Sequence, residues 1–225
     1  DEEEDLRLQI LDYWLTIFDL PSKALKKTLP FFSYLFHPIF IPVYAALFYF
    51  FGNDSYFSNP YLFFSVFQIA IITIVVPVLL FFLLRSMGKI DSMMIPDISQ
   101  RKTPLIILCF LTILLMRKSI TIDYFPQLYF FFLGGLFSTF SALILLFFNT
   151  KASLHSMAMS TLTVFVIGLS IHYQTQSIYT IAFLIFMNGV VASSRLEMNA
   201  HTPKELTIGF LLGIIPQLLL FRLWL

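Results

Sequence analysis

Charge is scarce in this sequence. Only 12% of its 225 residues are Asp, Glu, Lys or Arg, and 58% are hydrophobic. A soluble domain carries about 25% charged residues, so a water-soluble fold is excluded. Cysteine is almost missing too. Cys109 stands alone inside an apolar run, which rules out an internal disulfide and a cysteine metal cluster. The net charge of +1 provides no basic face for nucleic acid. The basic stretch of a cleavable leader is also lacking, because the chain opens with Asp1-Glu2-Glu3-Glu4-Asp5. Targeting is therefore expected to fall to the first spanning helix.

What the chain does have is long apolar runs, at 31–51, 61–84, 104–116, 124–148, 154–171, 178–193 and 206–225. A helix needs about 20 apolar residues to cross about 30 Å of hydrocarbon. The expectation is an all-α polytopic membrane bundle of six to seven spanning helices over 31–225, with no soluble domain attached. The 104–116 run is the weakest span, since Arg117 and Lys118 must snorkel. Gly134-Gly135 in the fourth run permits close helix contact. Residues 1–30 form a separate N-terminal segment. Leu6, Leu8, Ile10, Leu11, Trp14, Leu15 and Phe18 recur there at helical spacing, ahead of Lys23, Lys26 and Lys27, as in a helix lying in the membrane interface or covered by a membrane protein partner.

With seven spans, the connections alternate between two sides. Eleven of the fourteen Lys and Arg residues then fall on the side of the 85–103, 149–153 and 194–205 connections, which leans that side towards the cytoplasm. Three polar clusters share this side: Ile95 to Pro104, Lys151 to His155, and Ser194 to Glu205. Together they offer Arg101, Lys102, Lys151 and Arg195 as cations and His155 and His201 as bases. Ionisable groups at the edge of so apolar a bundle are functional candidates. Two imidazoles among cations suit an anionic phosphorus centre, where one attacks and the other protonates the leaving group.

Each residue also has a structural reading. Thr202-Pro203-Lys204-Glu205 is a capping box with proline at the first helical position. Ser153 can be a helix cap, His155 an interfacial histidine, and Arg195 and Lys151 snorkelling anchors. Lys102 and Lys204 fit headgroup contacts. His37 and His172 read as packing or interface residues, and no cofactor box is seen among the many aromatic residues.

Ser194-Arg195, five residues, His201, three residues, Glu205 resembles the third signature of the type 2 phosphatidic acid phosphatase superfamily, S-R-x5-H-x3-D. Ala152-Ser153-Leu154-His155 is similar to the second, P-S-G-H, and Arg101-Lys102-Thr103-Pro104 to the first, K-x6-R-P. The chain departs from these patterns in Glu205 for aspartate, Ala152 and Leu154 for proline and glycine, and Met94 for the first lysine. The resemblance covers about residues 85–215 and is greatest to bacterial membrane members. It implies His201 as nucleophile through a phosphohistidine, with Glu205 orienting it and His155 as general acid. Arg195, Arg101 and Ser153 would hold phosphoryl oxygens, with Lys102 and Lys151 as further cations. It implies no metal or cofactor, a membrane lipid phosphate as substrate, and a place in the bacterial cytoplasmic membrane. A catalytically silent subunit of a larger membrane assembly is the alternative. A channel or transporter is weak, since no span carries charge at mid-depth and no inverted repeat is evident.

Overall fold

The structure, a computed structural model, describes residues 5–6, 9–10, 22–52, 61–90 and 97–225. Most of the expected amphipathic N-terminal segment, and Met94, lie outside these residues. The described residues form helices joined by short connections, with no strand among them. In chain order the helices are α1 Ser22–Leu35, α2 Ile41–Phe51, α3 Tyr61–Ala70 continuing through a π-helical turn Ile71–Val75 into α4 Val76–Ser86, α5 Ile98–Lys118, α6 Pro126–Phe147, α7 Leu154–His172, α8 Ile178–Glu197 and α9 Pro203–Trp224. Among the described residues six helices, with α3 and α4 counted as one, are long and apolar enough to cross a membrane. In hydrocarbon only such internally hydrogen-bonded segments satisfy the backbone, so the chain is a multi-pass membrane protein.

The first apolar run corrects the expectation of a single span. It divides between α1 and α2, with an elbow over residues 36–40. Pro38 accounts for the break, because a proline drives the residue before it out of helical backbone. The boundary drawn between 1–30 and 31–225 likewise falls inside α1. The weak third run is a full helix of 21 residues. It gains its first turn from Ile98 onward because Asp97 caps it, accepting from Ser99 N–H at 2.9 Å. Pro77 explains the π-helical turn: it has no N–H to return to Thr73, so the ladder widens and Val76 N–H bonds Ile71 O instead.

The α7 helix is the centre of the bundle and is mostly buried. It packs on α9, α8 and α2 around a core that includes Tyr49, Leu128, Phe131, Phe165 and Leu184. Its contact with α9 is close because two glycines face it. A Cβ on Gly209 would collide with the Ser153 carbonyl, and one on Gly213 with Met157 O and Ser160 Oγ. The hydroxyls of Ser160 and Thr161 donate across this gap to Phe210 O and Gly213 O, each at 3.3 Å.

The bundle therefore has two polar ends. At one, Tyr49 OH donates to Gln127 Oε1 at 3.1 Å, and Gln127 Nε2 lies 2.9 Å from His172 Nε2. The other end gathers the N-termini of α5, α7 and α9. Helix N-termini carry free N–H groups and a partial positive charge, so this end is the one suited to an anion.

Candidate functional site

The site forms where two tight turns bring three helices together. Asn149 between α6 and α7 and Asn199 between α8 and α9 adopt left-handed backbone, with φ of 54° and 51°. Asparagine tolerates that conformation better than most residues. The turn at Asn199 brings the chain back beside the end of α8, with Ala200 N–H bonding Arg195 O at 3.1 Å. Ser153 N–H donates to Glu205 O at 3.0 Å, which joins the start of α7 to the first turn of α9.

Glu205 caps α9 and also contacts His201. Its Oε2 accepts from Thr202 N–H at 3.2 Å while Thr202 Oγ1 accepts from Glu205 N–H at 3.3 Å, which completes the capping box. The same Oε2 lies 2.8 Å from His201 Nδ1. A carboxylate only accepts, so Nδ1 carries the proton and Nε2 of His201 holds the lone pair. His201 is buried, only 4% exposed. Burial first, then the charges of Arg101, Arg195 and Lys151, push its pKa down to about 3. Three cations outweigh one carboxylate, and the ring is neutral at pH 7.

The cations come from three elements. Arg101 lies in the first turn of α5 and Arg195 in the last turn of α8, both buried. Each acts on His201, and Glu205 is the attractive partner of Arg101. Arg195 donates from Nη1 to Met198 Sδ at 3.7 Å, while its buried Nε has no hydrogen-bond partner among the described residues. Lys151 is half-buried. Its Nζ lies 3.5 Å from Glu205 Oε2 and donates to Ala200 O at 3.3 Å, tying the two turns together.

His155, in the first turn of α7, is buried and donates from Nε2 to Ser33 O at 3.2 Å. A carbonyl also only accepts, so in the neutral ring the lone pair sits on Nδ1. Arg195, His37 and His201 all act electrostatically on this ring. The structure thus places Arg101, Arg195, Lys151, Glu205 and His155 each within contact or electrostatic reach of His201. No protein-family model matches the chain, and neither the curated proteins nor the solved structures contain a match.

Two further candidates direct their side chains to other partners. Lys102 places its ammonium 4.7 Å from the centroid of the Phe147 ring, in a cation–π contact at the bundle surface. Ser153 is fully buried, and its Oγ accepts from Ser156 N–H at 3.4 Å as the cap of α7. The sequence reading missed two residues, Ser33 and His37. His37 reads in the sequence as a packing or interface residue, yet its ring centroid is 5.0 Å from that of His155. The signal available was His37-Pro38 itself, a helix-breaking pair inside an apolar run. Among the described residues no three His, Cys, Asp or Glu side chains are grouped to hold a metal ion.

Proposed function

We propose that this chain is a phosphatase or phosphotransferase of membrane lipid phosphates, of the type 2 phosphatidic acid phosphatase kind, in a bacterial cytoplasmic membrane. The observation that carries this reading is the neutral His201, its Nδ1 proton held by Glu205, in a cluster with two buried guanidiniums. Among the described residues the cluster holds three cations, Arg101, Arg195 and Lys151, against the one carboxylate of Glu205. Buried positive charge is costly unless an anion meets it, and a phosphate dianion supplies the missing charge.

In the reaction, His201 Nε2 attacks phosphorus and forms an N–P bond as the P–O bond to the lipid alcohol breaks. The entering anion favours protonation of His155, which gives its Nδ1 proton to the departing alkoxide. Water then attacks the phosphohistidine and returns a proton to His155, and the N–P bond breaks to release phosphate. Transfer to another alcohol in place of water gives the phosphotransferase. Arg101 and Arg195 neutralise the equatorial oxygens, where charge builds in the transition state.

The lipid nature of the substrate is supported by an apolar cleft of about 70 Å³ between α4 and α5. Pro77, Leu80 and Leu84 line one wall and Pro104, Leu108 and Leu111 the other. Arg101, Pro104, Leu108 and Leu111 follow one face of α5 at helical spacing, so the apolar lining begins about one turn along α5 from Arg101.

Phosphate release from a panel of phosphatidic acid, phosphatidylglycerol phosphate, polyprenyl diphosphate and lipid A tests the proposal. Activity is expected in the purified protein and is expected to vanish in His201→Ala and His155→Ala. Silence across the panel, with stable co-purification of other membrane subunits, would mark a catalytically silent, lipid-binding subunit instead.

A further inference from the structure

The end of α1 and the elbow that follows it play no part in the steps above, yet each touches the site once. Pro38 ends the helical backbone, so His37 leaves α1 and lies beside His155 instead of on a helix face. Its ring meets the His155 ring edge to face, with centroids 5.0 Å apart and planes at 90°. Behind it stands Phe40, at 6.5 Å and 73°. Four residues before His37, the Ser33 carbonyl takes the Nε2 proton of His155 at 3.2 Å. Ser33 is itself anchored, its Oγ 2.6 Å from Ser194 Oγ on α8, beside Arg195.

These contacts act on one degree of freedom. The torsion that turns an imidazole about its Cβ–Cγ bond is broad, so one hydrogen bond to a carbonyl leaves the ring free to rock and to exchange its nitrogens. A perpendicular aromatic neighbour removes that freedom. His37 can fill this place without repelling the proton that His155 carries, because it is itself uncharged. Burial, then the Arg195 charge, holds its pKa at about 4. Its Nδ1 accepts from Ile39 N–H at 3.4 Å, which leaves its own proton on Nε2.

We infer that His37 is a positioning residue for His155, clamping that imidazole together with the Ser33 carbonyl so that Nδ1 remains the nitrogen that exchanges the leaving-group proton. The inference rests on the phosphoryl-transfer reading of the same site.

The test compares wild type with His37→Ala and His37→Phe in two measurements on detergent-purified protein. One is kcat and KM for phosphate release from the best substrate of the panel. The other is the tautomer of His155, from long-range nitrogen–proton spectra of histidine-labelled protein, assigned with His155→Gln. His37→Ala is expected to lower kcat about a hundredfold, as misplacement of a reacting group by about 1 Å does, with KM little changed and His155 spread over both tautomers. His37→Phe keeps the ring contact, and is expected to keep one His155 tautomer and to retain kcat within about threefold. It also serves where the alanine variant does not fold. Wild-type kcat in His37→Ala overturns the inference. So does an equal loss in both variants with His155 still in one tautomer, since His37 would then act by its own proton. A wild type silent on every substrate overturns the phosphoryl-transfer reading, and the spectra still report separately whether His37 clamps His155.

Discussion

At the scale of single residues, Glu205 joins a helix cap to the proposed nucleophile through one oxygen. Its Oε2 binds both Thr202 N–H and His201 Nδ1. Glutamine also completes a capping box, so Glu205→Gln separates the two roles. Thermal stability is expected to stay within about 1 kcal/mol of wild type. The rate of phosphate release is expected to fall about a hundredfold or more, because the imidazole loses the charge that supports it as nucleophile. His201 also makes the fold sensitive to acid. Its pKa is about 3 in the folded chain against an ordinary 6.5. Below about 3 both states are protonated, and above 6.5 neither is. Between these limits only the unfolded chain takes up the proton, so stability is complete above 6.5 and is lost as pH falls through the window. His37, at about 4, contributes with the same sign. Melting temperature in detergent should therefore drop between about pH 7 and pH 4, and the drop should be smaller in His201→Gln. A melting curve independent of pH across that range would contradict the neutral, buried His201.

At the scale of elements, the α7–α9 contact positions the site, and it depends on missing side chains. Gly209→Val and Gly213→Val should each destabilise the protein by about 1–3 kcal/mol, as overpacking does. They should also reduce activity by displacing the first turns that carry His155 and Glu205. Gly135→Ala is the control, since nothing lies within 4 Å of a Cβ there. Thermal melts of the three variants decide between these outcomes. The helices themselves were largely legible. The runs 124–148, 154–171, 178–193 and 206–225 become α6 to α9 with shifts of a few residues at their ends. The errors trace to proline and to caps. Pro38 divides the first run into α1 and α2, and the Asp97 cap lengthens the third run to include Arg101. An apolar count alone registers neither effect, because one is a steric restriction on the residue before proline and the other a side-chain cap on the backbone.

At the scale of the whole molecule, the site is the product of parity. Each pair of crossings returns the chain to the same end, so clusters about 50 and about 40 residues apart meet. That much followed from the order of apolar runs, and it brought His155, His201, Arg101, Arg195 and Lys151 together as candidates. Parity cannot say where a side chain turns once it arrives. Lys102 turns to Phe147 and Ser153 folds back to cap α7, while His37 enters from a segment counted as an unbroken span. The gathered charge has a consequence for the molecule as a whole. An anion bound among Arg101, Arg195 and Lys151 should stabilise the folded bundle by mass action, by about 2.7 kcal/mol at a hundred times its Kd. Orthovanadate should accordingly raise the melting temperature of wild type and leave that of Arg195→Ala unchanged.

The most direct measurement is chemical capture of the covalent enzyme. The purified protein is mixed with a lipid phosphate labelled in its phosphoryl group, denatured within the first turnover, and digested for mapping of the label. Acid-labile, base-stable phosphate on the peptide carrying His201, absent from His201→Gln, is the expected result. Substrate turnover with the label never on His201, or label on a serine or aspartate instead, would contradict His201 as the nucleophile of this site.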